Sequence, residues 1–180
     1  YSTSSNSSEI CAISGDSIIV SSKNELISIN KKGKGQKFKK LPFEEPITCL
    51  AIHNSKIIVA SGSLISELKS ESGNPTTSLP SPAVSVIFRD SICYVGCTDG
   101  TIATYIGGGL QNIAKLPSAL TCLAPLQRTS TQSFIIAGCA DCSIRIYNAQ
   151  DKFVSQITLG SPATSFGYYD FDKDGFAEIL

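Results

Sequence analysis

Apolar residues along this chain come in short runs separated by pairs of turn-forming residues, and the rhythm persists from Glu9 to Leu180. The first cycle reads EICAIS (9–14), a Gly15-Asp16 turn, SIIVSS (17–22), a Lys23-Asn24 turn, ELISIN (25–30), then a lysine-rich connection to Phe38 and Leu41. The second reads ITCLAIH (47–53), KIIVAS (56–61) and LISELK (64–69), followed by a Ser/Gly/Asn/Pro loop. AVSVIF (83–88), ICYVGC (92–97), TIATYI (101–106) and QNIAKL (111–116) form the third. In the fourth, ALTCLAPL (119–126) leads through a longer polar loop to FIIAGC (134–139), SIRIYN (143–148) and FVSQITL (153–159).

Short runs rich in β-branched residues, with turn signals at each end, predict strands, and no stretch predicts a helix. The second run of each cycle is almost unbroken in its apolar character, which predicts a strand covered on both faces. The third alternates, Ile144 and Ile146 against Arg145, and predicts a strand nearer the outside that keeps one polar row.

Two of the cycles spell nearly the same thing. Gly96, Cys97, Asp99, Ile102 and Tyr105 recur as Gly138, Cys139, Asp141, Ile144 and Tyr147, each pair 42 residues apart. One offset shared by five positions marks a repeated supersecondary unit, and a period of about 40 residues is that of a four-stranded propeller blade. The fold class expected is therefore all-β, a β-propeller of four-stranded antiparallel blades. Its units fall at about 9–41, 46–79, 82–116, 119–159 and 163–180, after a polar linker or disordered stretch over 1–8. Closed propellers use about 4 to 8 blades, and Ala177-Glu178-Ile179-Leu180 reads as a strand that has just begun, so the chain is expected to be part of a longer domain. Loops rich in Ser, Pro and Gly come to the rims of such a domain, where binding usually sits.

Fifteen basic and fifteen acidic residues give no net charge, so no global field draws the chain to nucleic acid or anionic lipid. No apolar run is long enough to predict a transmembrane helix. The seven cysteines are odd in number and sit inside apolar runs, which favours a reduced, cytosolic setting over a disulfide framework.

The sharpest chemical motif is DFDKDGFAE (170–178). Asp170, Asp172 and Asp174 at alternate positions, with Gly175 for the turn, the Phe176 carbonyl and the Glu178 carboxylate, form a hard oxygen donor set of the kind that suits calcium. The same residues also suit a plain Asp/Gly hairpin with no metal. Set between two strand-like segments, the motif resembles the FG-GAP repeats of some propellers, with Glu178 where that family usually has Asp.

Other motifs carry less. Cys139-x-x-Cys142 and Cys93-x-x-x-Cys97 have the spacing of a metal or redox pair, but only one histidine, His53, is present. Recurrence of the cysteines at equivalent repeat positions favours small packing residues. KKGKGQKFKK (31–40) offers six lysines to an acidic surface, or is a solvated hairpin. Gly107-Gly108-Gly109 lacks the Lys-Ser/Thr of a phosphate loop. No nucleophile and base stand together, so no catalytic residue and no cofactor site is assigned and the chain is not expected to be an enzyme. Quinone-dependent propeller enzymes share the blade length, but their blades carry tryptophans and this chain has none.

SIRIYNAQD (143–151) resembles the fourth-strand ending of WD40 repeats, with Tyr147 and Asn148 in place of Trp-Asp and without that family's Gly-His dipeptide. In its order of features the chain also resembles the N-terminal propellers of the Bardet-Biedl syndrome proteins. These features are ELISINKKGKGQKF (25–38), IIVASGSLISELK (57–69), IRIYNAQDKFVSQITLGSPATSF (144–166) and the hairpin DFDKDGFAEIL. The pattern is most like the seventh of that set, with the first and second close behind. That resemblance implies a non-enzymatic scaffold of the BBSome, the ciliary coat that carries membrane proteins in and out of cilia. It further implies other coat subunits and membrane-protein cargo as partners, no nucleic acid, and a cytoplasmic location at the cilium or basal body.

Overall fold

The computed structural model describes residues 11–14, 17–22, 25–37, 43–68, 75–129, 132–174 and 178–179. The expected linker at 1–8, the Gly15-Asp16 and Lys23-Asn24 turns, the end of the lysine run, and Gly175, Phe176 and Ala177 lie outside them.

The described residues form eighteen strands and no helix. Sheet 1 contains β1 (Cys11–Ser14), β2 (Ser17–Ser22), β3 (Glu25–Asn30) and β4 (Gly35–Lys37). Sheet 2 contains β5 (Cys49–His53), β6 (Lys56–Ser61), β7 (Leu64–Leu68) and β8 (Thr76–Ser78). β9 (Ala83–Arg89), β10 (Ile92–Cys97), β11 (Thr101–Ile106) and β12 (Gly109–Lys115) make sheet 3. β13 (Leu120–Thr129), β14 (Gln132–Cys139), β15 (Ser143–Tyr147) and β16 (Phe153–Thr158) make sheet 4. A short pair, β17 (Tyr168–Tyr169) with β18 (Glu178–Ile179), follows. Each four-stranded sheet is an antiparallel meander in chain order, the simplest topology that short connections allow.

The sheets stack in sequence. The first strands approach one another in succession, β1 to β5, β5 to β9 and β9 to β13, so each sheet points one edge toward a common interior and its fourth strand away from it. Apolar layers fill the spaces between sheets. Ile19 and Leu26 meet Leu50 and Val59 between sheets 1 and 2. Ile58 and Ile65 meet Val86 and Val95 between sheets 2 and 3. Tyr94 and Ile102 meet Ile135 and Ala137 between sheets 3 and 4. Side chains alternate across a strand, so a central strand covered on both faces must be apolar at every position. This accounts for the unbroken runs IIVA, CYV and IIA. Each fully buried Ile, Val or Leu contributes about 1.5–3 kcal/mol, and that burial exists only where a neighbouring sheet is present.

Glycine recurs at 96 and 138 because neither position has room for a side chain, Gly96 against β13 of the next sheet and Gly138 against β13 of its own. A Cβ on Gly96 would lie 2.5 Å from Leu120 Cδ2 and 2.8 Å from Leu123 Cδ1, and one on Gly138 would lie 2.7 Å from Cys122 Sγ.

Four expectations need correction. The third strands lie outside the second, as expected, but in sheets 3 and 4 they keep no solvent-facing polar row: β11 is buried along five of its six residues, and Arg145 of β15 is itself buried. Its guanidinium is held by Asp141, Cys139 and Gln156, which removes the need for a solvent-facing row. The exposed strand is the fourth, and all six residues of β16 face solvent. SIRIYN is accordingly the third strand of its sheet, not a fourth. Sheet 2 has a fourth strand, Thr76–Ser78, where a loop was expected, and β13 and β14 extend to Thr129 and Gln132 into the expected polar loop.

Candidate functional site

The acidic motif forms a hairpin against the outer face of sheet 4. Tyr168 pairs with Ile179 and Tyr169 with Glu178, and the Tyr168 and Ile179 side chains pack on the layer containing Leu126, Ile136 and Ile144. Anchoring one face in that layer brings the two ends of the loop together. One carboxylate oxygen each from Asp170, Asp172, Asp174 and Glu178 lies within 4.8 Å of the others. The Phe171 amide donates to Glu178 Oε2 at 2.7 Å and the Asp174 amide to Asp172 Oδ1 at 3.1 Å, while Lys173 takes a left-handed φ of 59°. All four acidic residues named from the sequence are thus gathered at one place. Four carboxylates so close repel one another, and a hard cation is the chemistry that offsets such repulsion.

A second arrangement lies at the turn between the second and third strands of sheets 3 and 4. Asp99 accepts hydrogen bonds from the Thr101 amide at 3.0 Å and from its hydroxyl, and pairs with Lys115. The Asp99 amide in turn donates to Ser81 Oγ at 3.0 Å. One sheet later Asp141 accepts from the amide and hydroxyl of Ser143 and from Arg145, and its own amide donates to Ser118 Oγ at 3.0 Å. Burial alone would raise the Asp99 pKa, but the bonds from Lys115, Thr101 and Ser81 outweigh it and hold the carboxyl well below the usual range. Asp141 is lowered likewise, chiefly by Ser143 and with Arg145 contributing. The recurrence of Asp99 as Asp141 was visible in the sequence. Their serine and cationic partners were not, because Ser81 and Ser118 do not share the 42-residue offset.

A third arrangement is an ion pair across the gap between sheets 3 and 4. Buried Arg89 of β9 reaches the turn joining β15 and β16, donating to the carbonyls of Asn148 and Ala149 and pairing with Asp151 at 2.9 Å. Tyr94 stands under the guanidinium, 4.7 Å from Cζ to ring centroid, and its hydroxyl donates to Asp151 Oδ1 at 3.0 Å. Nothing in the local sequence pattern signals this contact, which joins residues of different repeats.

The remaining motifs are dispersed. Cys49, Cys93, Cys97, Cys122 and Cys139 are buried, and Cys142 is partly exposed. Burial pushes the Cys49 and Cys97 thiols up to about 11 and Cys93 to about 12, which suppresses the thiolate that either ligation or nucleophilic attack needs. His53 stacks on Phe88 with ring centroids 5.3 Å apart and hydrogen-bonds Asn54. Lys31, Lys32 and Lys34 lie exposed at the turn between β3 and β4, as a solvated hairpin would have them. Gly107 and Gly108, both at positive φ, turn the chain between β11 and β12, and Gly108 O accepts a hydrogen bond from Thr77 of the neighbouring sheet at 2.6 Å.

No protein-family model and no curated protein matches the chain. Solved structures do. The crystal structure of the computationally designed Ika8 protein superposes with a TM-score of 0.71 at 19% identity, over 94% of this chain and 56% of that one. A crystal structure of BBS1N in complex with ARL6DN, soaked with mercury, gives 0.73 at 16% identity, over 86% of this chain and 54% of that one. The designed Ika4 protein gives 0.63 at 21% identity, over 82% of this chain and 98% of that one. The chain thus spans about half the length of Ika8 and of BBS1N. Identities this low speak to architecture alone: with its stacked four-stranded antiparallel sheets and first strands turned inward, the chain has the β-propeller fold.

Proposed function

We propose that the chain is a non-enzymatic protein-protein interaction scaffold, a BBSome-type subunit acting in ciliary membrane-protein trafficking. Residues 9–180 would form its propeller portion. The observation that carries this reading is β16. Six consecutive residues of one outer strand face solvent, among them Phe153, Val154 and Ile157, and each of the three is at least 46% exposed. An outer strand that exposes three apolar side chains and, among the described residues, pairs along one edge only is suited to bind another protein, by packing or by strand addition. Burial of the thiols at raised pKa supports a structural role for them. The likeness to BBS1N, solved in complex with ARL6DN, agrees with protein partners, and the sequence resemblance supplies the coat subunits, the cargo, and the cytoplasmic or ciliary location. Among the described residues no helix is long and apolar enough to cross a membrane.

The test is affinity purification of the tagged chain from ciliated cells, beside a variant carrying F153S, V154T and I157T. Coat subunits recovered with the wild type and lost with the variant support the reading. Equal recovery with both, or none with either, contradicts it.

A second reading is favoured by the convergence of Asp170, Asp172, Asp174 and Glu178: a calcium-stabilised propeller of FG-GAP type, in an adhesion or secreted protein. Thermal unfolding with millimolar calcium against chelator separates the two. A rise in Tm that D170N and D172N abolish supports calcium at the hairpin, and insensitivity to calcium removes this reading.

A further inference from the structure

The segments that lead into successive sheets keep one register. Cys49, Ser85 and Cys122 sit opposite Ala60, Gly96 and Gly138 at equivalent points of sheets 2, 3 and 4. Four residues before each stand Glu45, Ser81 and Ser118, so these three share one position. Ser161 takes it in the next segment. The amides of Leu79, Leu116 and Leu159 each donate to the turn between the second and third strands of the sheet just left, at Ser63, Gly100 and Cys142, and the serine follows two residues on. The residues that come directly after the shared position are Pro46, Pro82, Ala119 and Pro162.

Ser81 and Ser118 have matching surroundings. Both are half-buried, and each accepts a hydrogen bond from the amide of the aspartate in the sheet it enters, Asp99 or Asp141, at 3.0 Å. Ser81 also accepts from the Thr98 hydroxyl at 3.1 Å. The two serines differ in the residue that follows. Ser81 stands between Pro80 and Pro82, both exposed, whereas Ser118 precedes Ala119. A proline fixes its own φ and biases the residue before it toward extended backbone, and an extended Ser-Pro step is what a proline-directed protein kinase reads. The fold also accepts negative charge at this position. In sheet 2 it is held by Glu45, exposed, whose Oε2 lies against the turn at Gly62, 2.7 Å from where a Cβ would stand. Around Ser81 the Asp99 amide, the Thr98 hydroxyl and Lys115 can all donate to a phosphate. Lys115 is 60% exposed, and its Nζ pairs with Asp99 and lies 3.1 Å from Thr101 Oγ1.

We propose that Ser81 accepts a phosphoryl group from a proline-directed protein kinase. The Ser81 hydroxyl oxygen attacks the γ-phosphorus of ATP, the bond from that phosphorus to the bridging oxygen breaks, ADP leaves, and the hydroxyl proton passes to the base of the kinase. The phosphoserine carries about −1.5 to −2 charge at neutral pH. It is held by the Asp99 amide and by Lys115, which offsets the repulsion from the Asp99 carboxylate. A neutral position of sheet 3 thereby becomes anionic, as Glu45 already makes it in sheet 2. Ser81 lies in the segment entering sheet 3, away from β16, and the inference stands whichever partner binds that strand.

The experiment is phosphorylation of the chain carrying S161A by a purified proline-directed kinase with Mg-ATP, followed site by site by peptide mass spectrometry, with circular dichroism to verify folding. S161A removes the other Ser-Pro step of the sequence. Ser81 should be modified at least about tenfold faster than Ser118, and P82A should abolish that preference. In the phosphorylated chain, the phosphorus NMR titration of the phosphate should move to higher pH in K115Q, because a neighbouring cation favours the doubly charged form. Equal rates at Ser81 and Ser118, modification of Ser81 only after denaturation, a preference untouched by P82A, or a titration indifferent to K115Q each overturn the inference.

Discussion

Asp99 and Asp141, 42 positions apart in the chain, hold the same hydrogen bonds at the same turn of consecutive sheets. Each closes its turn through the hydroxyl residue two positions on, Thr101 or Ser143, and each engages one cation from the same sheet, Lys115 or Arg145. Each also presents its amide to a serine on the segment entering a sheet, Ser81 or Ser118.

Both carboxylates have pKa values below the ordinary range. A group whose folded pKa is depressed adds stability above its unfolded pKa and loses it as the pH falls through the folded value. Stability should therefore decline as the pH drops below about 4. The double variant D99N/D141N should start lower at pH 7 and fall less steeply under acid. The change will be modest, because Lys115 is 60% exposed and solvent screens the pair. Urea unfolding at pH 7 and at acid pH measures it, and parallel losses in wild type and variant would contradict the assignment.

Gly100 takes φ +83°, and a Cβ there would sit 2.5 Å from the Ser118 carbonyl oxygen and 2.8 Å from that of Leu116. Backbone atoms cannot step aside as a flexible side chain can. G100A should cost about 2 kcal/mol or more, read by urea unfolding. The equivalent residue one sheet later is Cys142, at φ 63°, so C142G should leave stability unchanged or improve it. A neutral G100A would contradict the geometry.

Of the six cysteines whose burial is described, only Cys142 is not buried. Alkylation of the native protein at pH 8 should modify Cys142 at least about tenfold faster than Cys49, Cys93 or Cys97, whose thiols are buried at raised pKa. Peptide mass spectrometry over a time course follows each site. Comparable rates at Cys93 and Cys142 would show that the layer between sheets 2 and 3 is open.

Much of the sheet architecture was legible because stacked sheets impose a local rule: a strand sandwiched between neighbours is apolar at every position, as IIVA, CYV and IIA are. Turn pairs such as Asn54-Ser55, both at positive φ, marked where strands end. The polar occupants of covered positions escaped that rule. Arg145 read as a solvent-facing residue because its partners arrive from the preceding turn, Asp141, and from the two neighbouring strands, Cys139 and Gln156, which alternation along one strand does not report. β8 was missed because TTS is short and polar, and it is a strand only through pairing with β7. The acidic hairpin was legible residue by residue, since alternate aspartates and one turn suffice to bring their carboxylates together. The Arg89 contact was not, because it joins residues 62 positions apart through a stacking that no run of sequence encodes.

That contact offers the most direct test of the claim that consecutive repeats stack face to face. Arg89 is 4% exposed and meets Asp151 of the next sheet at 2.9 Å, so removing either partner leaves the other poorly satisfied. In a double-mutant cycle of R89A and D151A followed by chemical denaturation, a coupling energy of about 1–3 kcal/mol is expected. A coupling below about 0.3 kcal/mol, with the two losses simply adding, would mean that sheets 3 and 4 do not stand side by side.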